Sequence, residues 1–315
     1  MIDHRITPPT KRRPPAMTTI LCGTAGWADK SLISCKRFYP RGCSTAQARL
    51  AYYASIFSLV EVDSSYYALP SVTNSQLWAD RTPEGFVFNV KAFRLLTGHQ
   101  TGREALPPDI ALHFPETAKR NLYYRDVPPD ILDEVWRRFF DALIPLDRAG
   151  KLGAVLFQFP PWLTCSPQGR AHLEECVART AGHRMAIEFR NPSWLDGKHK
   201  SWTLGFEREH RITHVVVDAP PDVTTRAQTI WESTNDDLAI VRLHGRNADT
   251  WNAPGALASG RFNYDYSEEE LVELSVPIRT LAKQVTTTHV IFNNCFEDQG
   301  QRNARSMMQL LQTKT

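Results

Sequence analysis

The chain carries ionisable and amide residues in short pairs that interrupt apolar runs. Glu61 and Asp63 alternate with Val60 and Val62, and Asn89 and Lys91 with Phe88 and Val90. Gln158 stands between Phe157 and Phe159, and Glu188 and Arg190 flank Phe189. Asp218, then Arg242, His244 and Arg246, then Asn293 and Asn294 end later apolar runs. These residue types suit three chemistries. The guanidinium forks of Arg190, Arg242 and Arg246, with Lys91, match a carboxylate or phosphate. Gln158, Asp63, Asp218, Asn293 and Asn294 would complete such a substrate site with hydrogen bonds. Glu188 and His244 suit proton transfer, with Lys91 as electrostatic stabiliser and Glu61 as second carboxylate. Glu61, Asp63, Glu188, Asp218 and His244 also offer donors for Mg²⁺ or Mn²⁺. No His-Glu-x-x-His run or Cys/His spacing is present, and the neighbouring Lys and Arg charges oppose a cation. A divalent metal is admissible but not favoured, and no other cofactor is read.

Positioning these residues requires elements that bring several strand ends together. Short β-branched and apolar runs predict strands at Thr18–Gly23, Ser58–Asp63, Phe86–Lys91, Gly153–Phe159, Arg184–Phe189, Thr213–Asp218, Leu238–His244 and His289–Asn293. Helical periodicity lies between them at Thr45–Phe57, Val72–Asp80, Ile131–Ile144, Pro167–Thr180, Ser267–Val285 and Gln301–Leu311. Strand and helix alternating eight times over roughly 250 residues predict a single α/β domain, a (β/α)₈ TIM-type barrel. An open doubly wound sheet is the alternative, but its G-x-G-x-x-G turn is absent. Residues two apart share a face of a strand, so apolar residues outward place the polar ones inward on seven of the eight strands. They gather at the C-terminal ends, where barrel active sites form. The competing reading is a buried structural ion-pair network.

Two connections are long. Thr97–Lys151 is an insertion after the third strand, expected to form a lid or subdomain, and Gly245–Tyr266 follows the seventh. Backbone amides around Gly23–Gly26 are candidate oxyanion donors, with a plain tight turn as the alternative. Trp27, Tyr66, Tyr67, Trp194 and Trp251 follow strand ends and could stack on a sugar or base, or seal helices onto the rim. That makes nucleic acid the alternative partner to a small anionic ligand.

Composition is that of an ordinary globular chain: 315 residues, 42% hydrophobic, 23% charged. A net charge of +3 is too small to argue for nucleic acid or a membrane surface by itself. Six cysteines without a C-x-x-C pair predict reduced thiols and a cytoplasmic protein. Residues 1–17 are basic and proline-rich without an apolar core, which predicts a disordered tail before a domain spanning 18–315. No run approaches the length of a membrane span. No G-x-S-x-G elbow or P-loop is present.

Several runs together resemble one family: Gly23-Thr24-Ala25-Gly26-Trp27, Phe38-Tyr39-Pro40, Val60 through Pro70, Phe86 through Lys91 and Gln158-Phe159-Pro160-Pro161. Glu188 through Trp194, Arg242-Leu243-His244-Gly245-Arg246, Phe292-Asn293-Asn294 and Asn303-Ala304 continue the likeness. It is to the YecE-like proteins, domain-of-unknown-function family 72 (DUF72), over about residues 20 to 311. The resemblance implies a (β/α)₈ barrel and brings no established activity. The sequence departs from the family pattern at Asp63, where many members carry Asn, which adds a carboxylate beside Glu61.

Overall fold

The computed structural model describes residues 18–114, 120–220, 229–251 and 262–312. Its strands are β1 (Thr19–Ala25), β2 (Leu59–Val62), β3 (Val87–Lys91), β4 (Thr101–Gly102), β5 (Asn121–Leu122), β6 (Leu152–Phe159), β7 (Met185–Phe189), β8 (Thr213–Asp218), β9 (Leu238–Leu243) and β10 (Thr287–Phe292). All but β4 and β5 close a parallel barrel in the order β1-β10-β9-β8-β7-β6-β3-β2. The α/β barrel expected from the alternation is therefore the fold. β4 and β5 pair antiparallel as a small ribbon in the excursion after β3.

Alternation decides which side chains enter the barrel, because register partners in a parallel sheet point to the same face. Ala25 lies beside Glu61 and Glu61 beside Asn89; Gln158 lies beside Glu188, and Arg242 lies between Val217 and Ile291. The lower interior holds the small and branched residues Ala154, Leu156, Ala186, Val215, Leu238 and Ile240, with buried His289 in register with Ile240 and hydrogen-bonded to Asn89. Above them the filling changes to charged and amide groups. The opposite faces of the same strands supply Val60, Val62, Phe88, Val90, Phe157, Val216, Val241 and Leu243 to the larger core under the helices. Each layer therefore satisfies its own solvation requirement, apolar toward the helices and paired polar toward the mouth.

Local signals set the helices. Thr45, Ser71, Ser166 and Ser267 accept backbone N–H bonds as N-caps of the helices Ala46–Ala54, Val72–Asp80, Pro167–Arg179 and Glu268–Ala282. Ser267 and Glu270 complete a reciprocal capping box. The pattern expected over Ile131–Ile144 is two helices, Pro129–Asp141 and Ile144–Arg148, and the last long helix is Gln299–Gln312. Lys200–Glu209 is a further helix, which periodicity alone did not single out because Gly205 and flanking charges dilute its apolar face. The excursion after β3 is packed down by buried Phe93, Leu95, Leu96, Leu106, Ile110, Leu122 and Val127. The tail at residues 1–17 and the side chain of Trp251 lie outside the described residues. Among the described residues no helix is long and apolar enough to cross a membrane.

The first strand runs two residues beyond its expected end. Gly23 is consequently a strand residue, whose missing side chain lets β2 approach: a Cβ there would lie 2.0 Å from the Leu59 carbonyl oxygen. The turn comes at Gly26, with φ +104°. Gly23→Ala is expected to cost about 1–3 kcal/mol by forcing β1 from β2. Gly205→Ala, in a helix with open space around the added methyl, is expected to stabilise by about 0.4–1 kcal/mol. Urea unfolding of both variants checks the pair, and equal effects would contradict this account of Gly23.

Candidate active site at the barrel mouth

Arg242, on β9, is fully buried, at 0% exposure. Its Nε donates to Glu61 Oε2 at 3.0 Å and its Nη2 to Glu61 Oε1 at 2.5 Å, while Nη1 bonds Glu188 Oε2. β10 and β1 separate β9 from β2, and β8 separates it from β7. The guanidinium therefore crosses the barrel interior and ties three strands that are not neighbours. Three charges removed from water would each cost several kcal/mol if left alone, so the fork geometry is what makes their burial tolerable.

The second oxygen of Glu188 collects the rest. Gln158 Nε2 donates to Oε1 at 2.7 Å, Arg190 Nε pairs with the same oxygen, and His244 Nε2 lies 3.4 Å from it. On the other side of the imidazole, the Asn293 amide is 2.7 Å from Nδ1. Nε2 is also faced by Arg242 Nη1 at 3.5 Å, a group that can only donate. Arg190 Nη2 is 3.3 Å from Nε2 and reaches toward the rim, its side chain 17% exposed.

The two buried glutamates are driven apart. Burial works against the Glu188 charge, but Arg190, Arg242 and His244 overcome it and hold the carboxyl well below the ordinary range. At Glu61 burial prevails over Arg242 and Lys91 and pushes the carboxyl up. Burial also holds the His244 imidazole down to about 3, so it is neutral at physiological pH.

Nearer the rim, Lys91 Nζ donates to Asp63 Oδ1 at 2.8 Å and sits 4.3 Å from the Tyr66 ring centre. The structure thus assembles Glu61, Asp63, Lys91, Tyr66, Gln158, Glu188, Arg190, Arg242, His244 and Asn293 at one end of the barrel.

Other residues expected there lie elsewhere. Asp218 is in register with Leu243, so it faces outward, where it accepts from Tyr266 Oη at 2.7 Å and from Arg246 Nη2 at 2.8 Å. Arg246 continues to Glu270 at 3.1 Å and braces the helix Glu268–Ala282. Asn294 follows Asn293 with opposite parity and donates to Asn303 Oδ1 at 2.7 Å, tying β10 to the last helix. Trp194 is fully buried; its Nε1 donates to Leu163 O at 2.7 Å and its ring stacks on Phe189 at 4.6 Å. Trp27 packs edge-on to Trp78 and Phe88 on the outer face of β3. The polar switch therefore holds on fewer strands than the alternation suggested.

Three residues near Tyr66 escaped the sequence reading: Arg94, His99 and Trp162. His99 meets Tyr66 edge-on at 5.2 Å and Trp162 meets His99 at 5.6 Å. Their signal was position, since each follows the C-terminal end of β3 or β6, whereas strand parity stops at the strand. Among the described residues no three His, Cys, Asp or Glu side chains converge on a metal position.

Arg242→Ala leaves buried Glu61 without its hydrogen-bonded partner and takes one of two guanidinium partners from Glu188, and is expected to cost about 3–5 kcal/mol, read from the urea midpoint. A cost under about 1 kcal/mol would remove the brace from its structural role. Acid should also weaken the fold. His99, His244 and His289 are each held down to about 3 from an ordinary 6.5, burial being the largest cause. The unfolded chain takes up their protons below its ordinary value while the folded chain does not. Their contribution is therefore full above pH 6.5 and is lost as the pH falls toward 3. The Glu188 contribution is present above the ordinary carboxylate value and is lost below it. Unfolding free energies from pH 7.5 to 5 should fall by up to about 1 kcal/mol per imidazole per unit below the ordinary value. A flat profile would show that the imidazoles protonate inside the fold.

The family described as protein of unknown function DUF72 matches residues 21–315. The UPF0759 protein YunF of Bacillus subtilis is 32% identical over 295 residues, covering 93% of this chain and 94% of that protein. A solved DUF72 family protein from Thermotoga maritima MSB8 is similar with TM-score 0.72 and 28% identity, over 94% of this chain and 100% of that one. Another, from Enterococcus faecalis V583, has TM-score 0.74 and 26% identity, over 94% and 97% of the two chains. With a family match over nearly the whole chain and relatives similar along almost their full length, the protein belongs to the DUF72 family.

Proposed function

We propose that the protein is an enzyme that binds a small phosphate- or carboxylate-bearing substrate at the C-terminal mouth of its barrel and acts on it by acid–base chemistry. The observation that carries this reading is a division of labour among cations. Arg242 is consumed by Glu61 and Glu188 and holds the floor, whereas Arg190 and Lys91 stand above it with side chains 17% and 9% exposed. An arriving anion would meet Arg190 and Lys91 and compete with Asp63 for the ammonium. Gln158 and Asn293 fix the groups beneath.

Between Glu188 and His244, proton chemistry falls to the histidine. Glu188 is held ionised by its cations and serves to orient the imidazole. His244 is neutral and would act as the base, taking a proton at Nε2 beside Arg190. Glu61 is sealed beneath Arg242 and belongs to the brace. All six cysteines are free thiols, which supports a cytoplasmic setting.

Calorimetric titration with inorganic phosphate and small carboxylates tests the reading. Lys91→Met is expected to weaken binding about tenfold or more while the melting temperature stays close to that of the parent. Affinity should change little between 50 and 200 mM salt, because a confined anion site displaces few counterions. A loss of about a thousandfold over that range, seen with oligonucleotides, would instead identify a nucleic-acid-binding barrel.

A further inference from the structure

We infer that the anion taken by this mouth carries a flat aromatic ring, and that Trp162, His99 and Arg94 form the subsite that receives it. The inference rests on the anion-binding reading above and specifies its ligand.

Trp162 follows Gln158-Phe159-Pro160-Pro161 at the end of β6 and is 56% exposed. It is nonetheless held: Nε1 donates to the Gly98 carbonyl at 3.4 Å, and the ring packs edge-on to His99. An exposed indole face contributes nothing to the core, while a fixed one is ready to stack without ordering cost on binding. The loop beneath is built to the same end. Phe93, Leu95 and Leu96 are buried, Gly98 turns the chain with φ +78°, and His99 N donates to Arg94 O at 3.0 Å.

Arg94 lies with its guanidinium carbon 5.3 Å from the Tyr66 ring centre, and the Lys91 ammonium lies 4.3 Å from the same centre. Among the described residues no carboxylate pairs with it, and its Nε is sealed without a hydrogen-bond partner. Its terminal nitrogens are not sealed in this way and make no hydrogen bond or ion pair among the described residues, so they are what an incoming anion would engage.

His99 supplies the third element. The Thr97 hydroxyl donates to Arg94 O at 3.1 Å and must therefore accept from His99 Nδ1 at 2.9 Å. The proton is then on Nδ1, and Nε2 is an acceptor. Burial together with the charges of Lys91, Arg94 and Arg190 keeps the imidazole neutral. A cation pair, a neutral acceptor and a fixed ring face lie in sequence along one ledge. An aliphatic anion would use the first of these and leave the other two idle. An aryl or heteroaryl phosphate or carboxylate with a ring N–H or hydroxyl uses all three.

The test compares inorganic phosphate, phenyl phosphate and adenosine monophosphate by calorimetry at fixed ionic strength. The two ring-bearing probes should bind at least tenfold tighter than inorganic phosphate. Trp162→Ala should abolish that gain, a loss of about 10- to 100-fold, without changing the affinity for inorganic phosphate. Trp162→Phe should keep most of it, and Arg94→Gln should weaken all three probes. Equal affinities for the three probes would overturn the ring subsite and leave the anion reading standing. A ring preference that survives Trp162→Ala would overturn the ledge, and no binding by any probe would overturn both readings. A ten-nucleotide strand that binds far tighter than the monophosphate and is released steeply by salt would also overturn it, in favour of a nucleic-acid surface.

Discussion

A guanidinium cannot be buried alone, and the interior of this barrel is arranged around that constraint. Arg242 reaches Glu61 on one side and Glu188 on the other, across strands that are not neighbours. Gly23 and Ala25 on the intervening β1 are small enough to leave that space open. Below the brace the interior is apolar apart from His289, which bonds Asn89, and above it lie Lys91, Arg190, His244 and Asn293. The brace is thus the boundary between the packed core and the mouth. The ion-pair network leaves room for the proposed site, because it occupies Arg242 while Arg190 and Lys91 reach the rim.

The brace also sorts the acid–base groups. Two glutamates in equivalent positions acquire opposite character: Glu188 is surrounded by Arg190, Arg242 and His244, whereas Glu61 is dominated by its burial. His244 is kept neutral by the same burial. Groups of one chemical type are in this way given different protonation behaviour by their neighbours, an arrangement that recurs where proton chemistry is done. Toward β3 and β6, the rim turns from charge to aromatic surface through Tyr66, His99 and Trp162. Lys91 and Arg94 over the Tyr66 ring join the two regions.

Much of the site was legible because strand parity is a local property. Glu61, Lys91, Gln158, Glu188, Arg190, Arg242 and His244 could be placed inward from the apolar residues alternating with them. Parity misplaces residues where a strand ends or where the register with a neighbouring strand decides the face. Asp218 ends an apolar run, yet register with Leu243 turns it outward to Arg246 and Tyr266. Asn294 was grouped with Asn293 although adjacent residues must face opposite ways. Trp194 follows Glu188 and Arg190 at the end of β7, but its indole N–H finds a backbone acceptor and its ring finds Phe189, so it is drawn into the core.

The sequence by itself determined the alternation of strands and helices, the closed barrel, the family and the set of polar residues entering the interior. Those follow from periodicity, capping and residue type, all of which act over a few residues. Only the tertiary structure decided which charges neutralise one another and which remain at the rim. Arg190, Arg242 and Arg246 are chemically identical, yet one reaches the rim over Glu188, one is sealed between two glutamates and one braces an outer helix. Arg94, His99 and Trp162 come together from two loops for the same reason. Coulombic and ring contacts depend on distance in space, and barrel closure sets those distances between residues far apart in the chain.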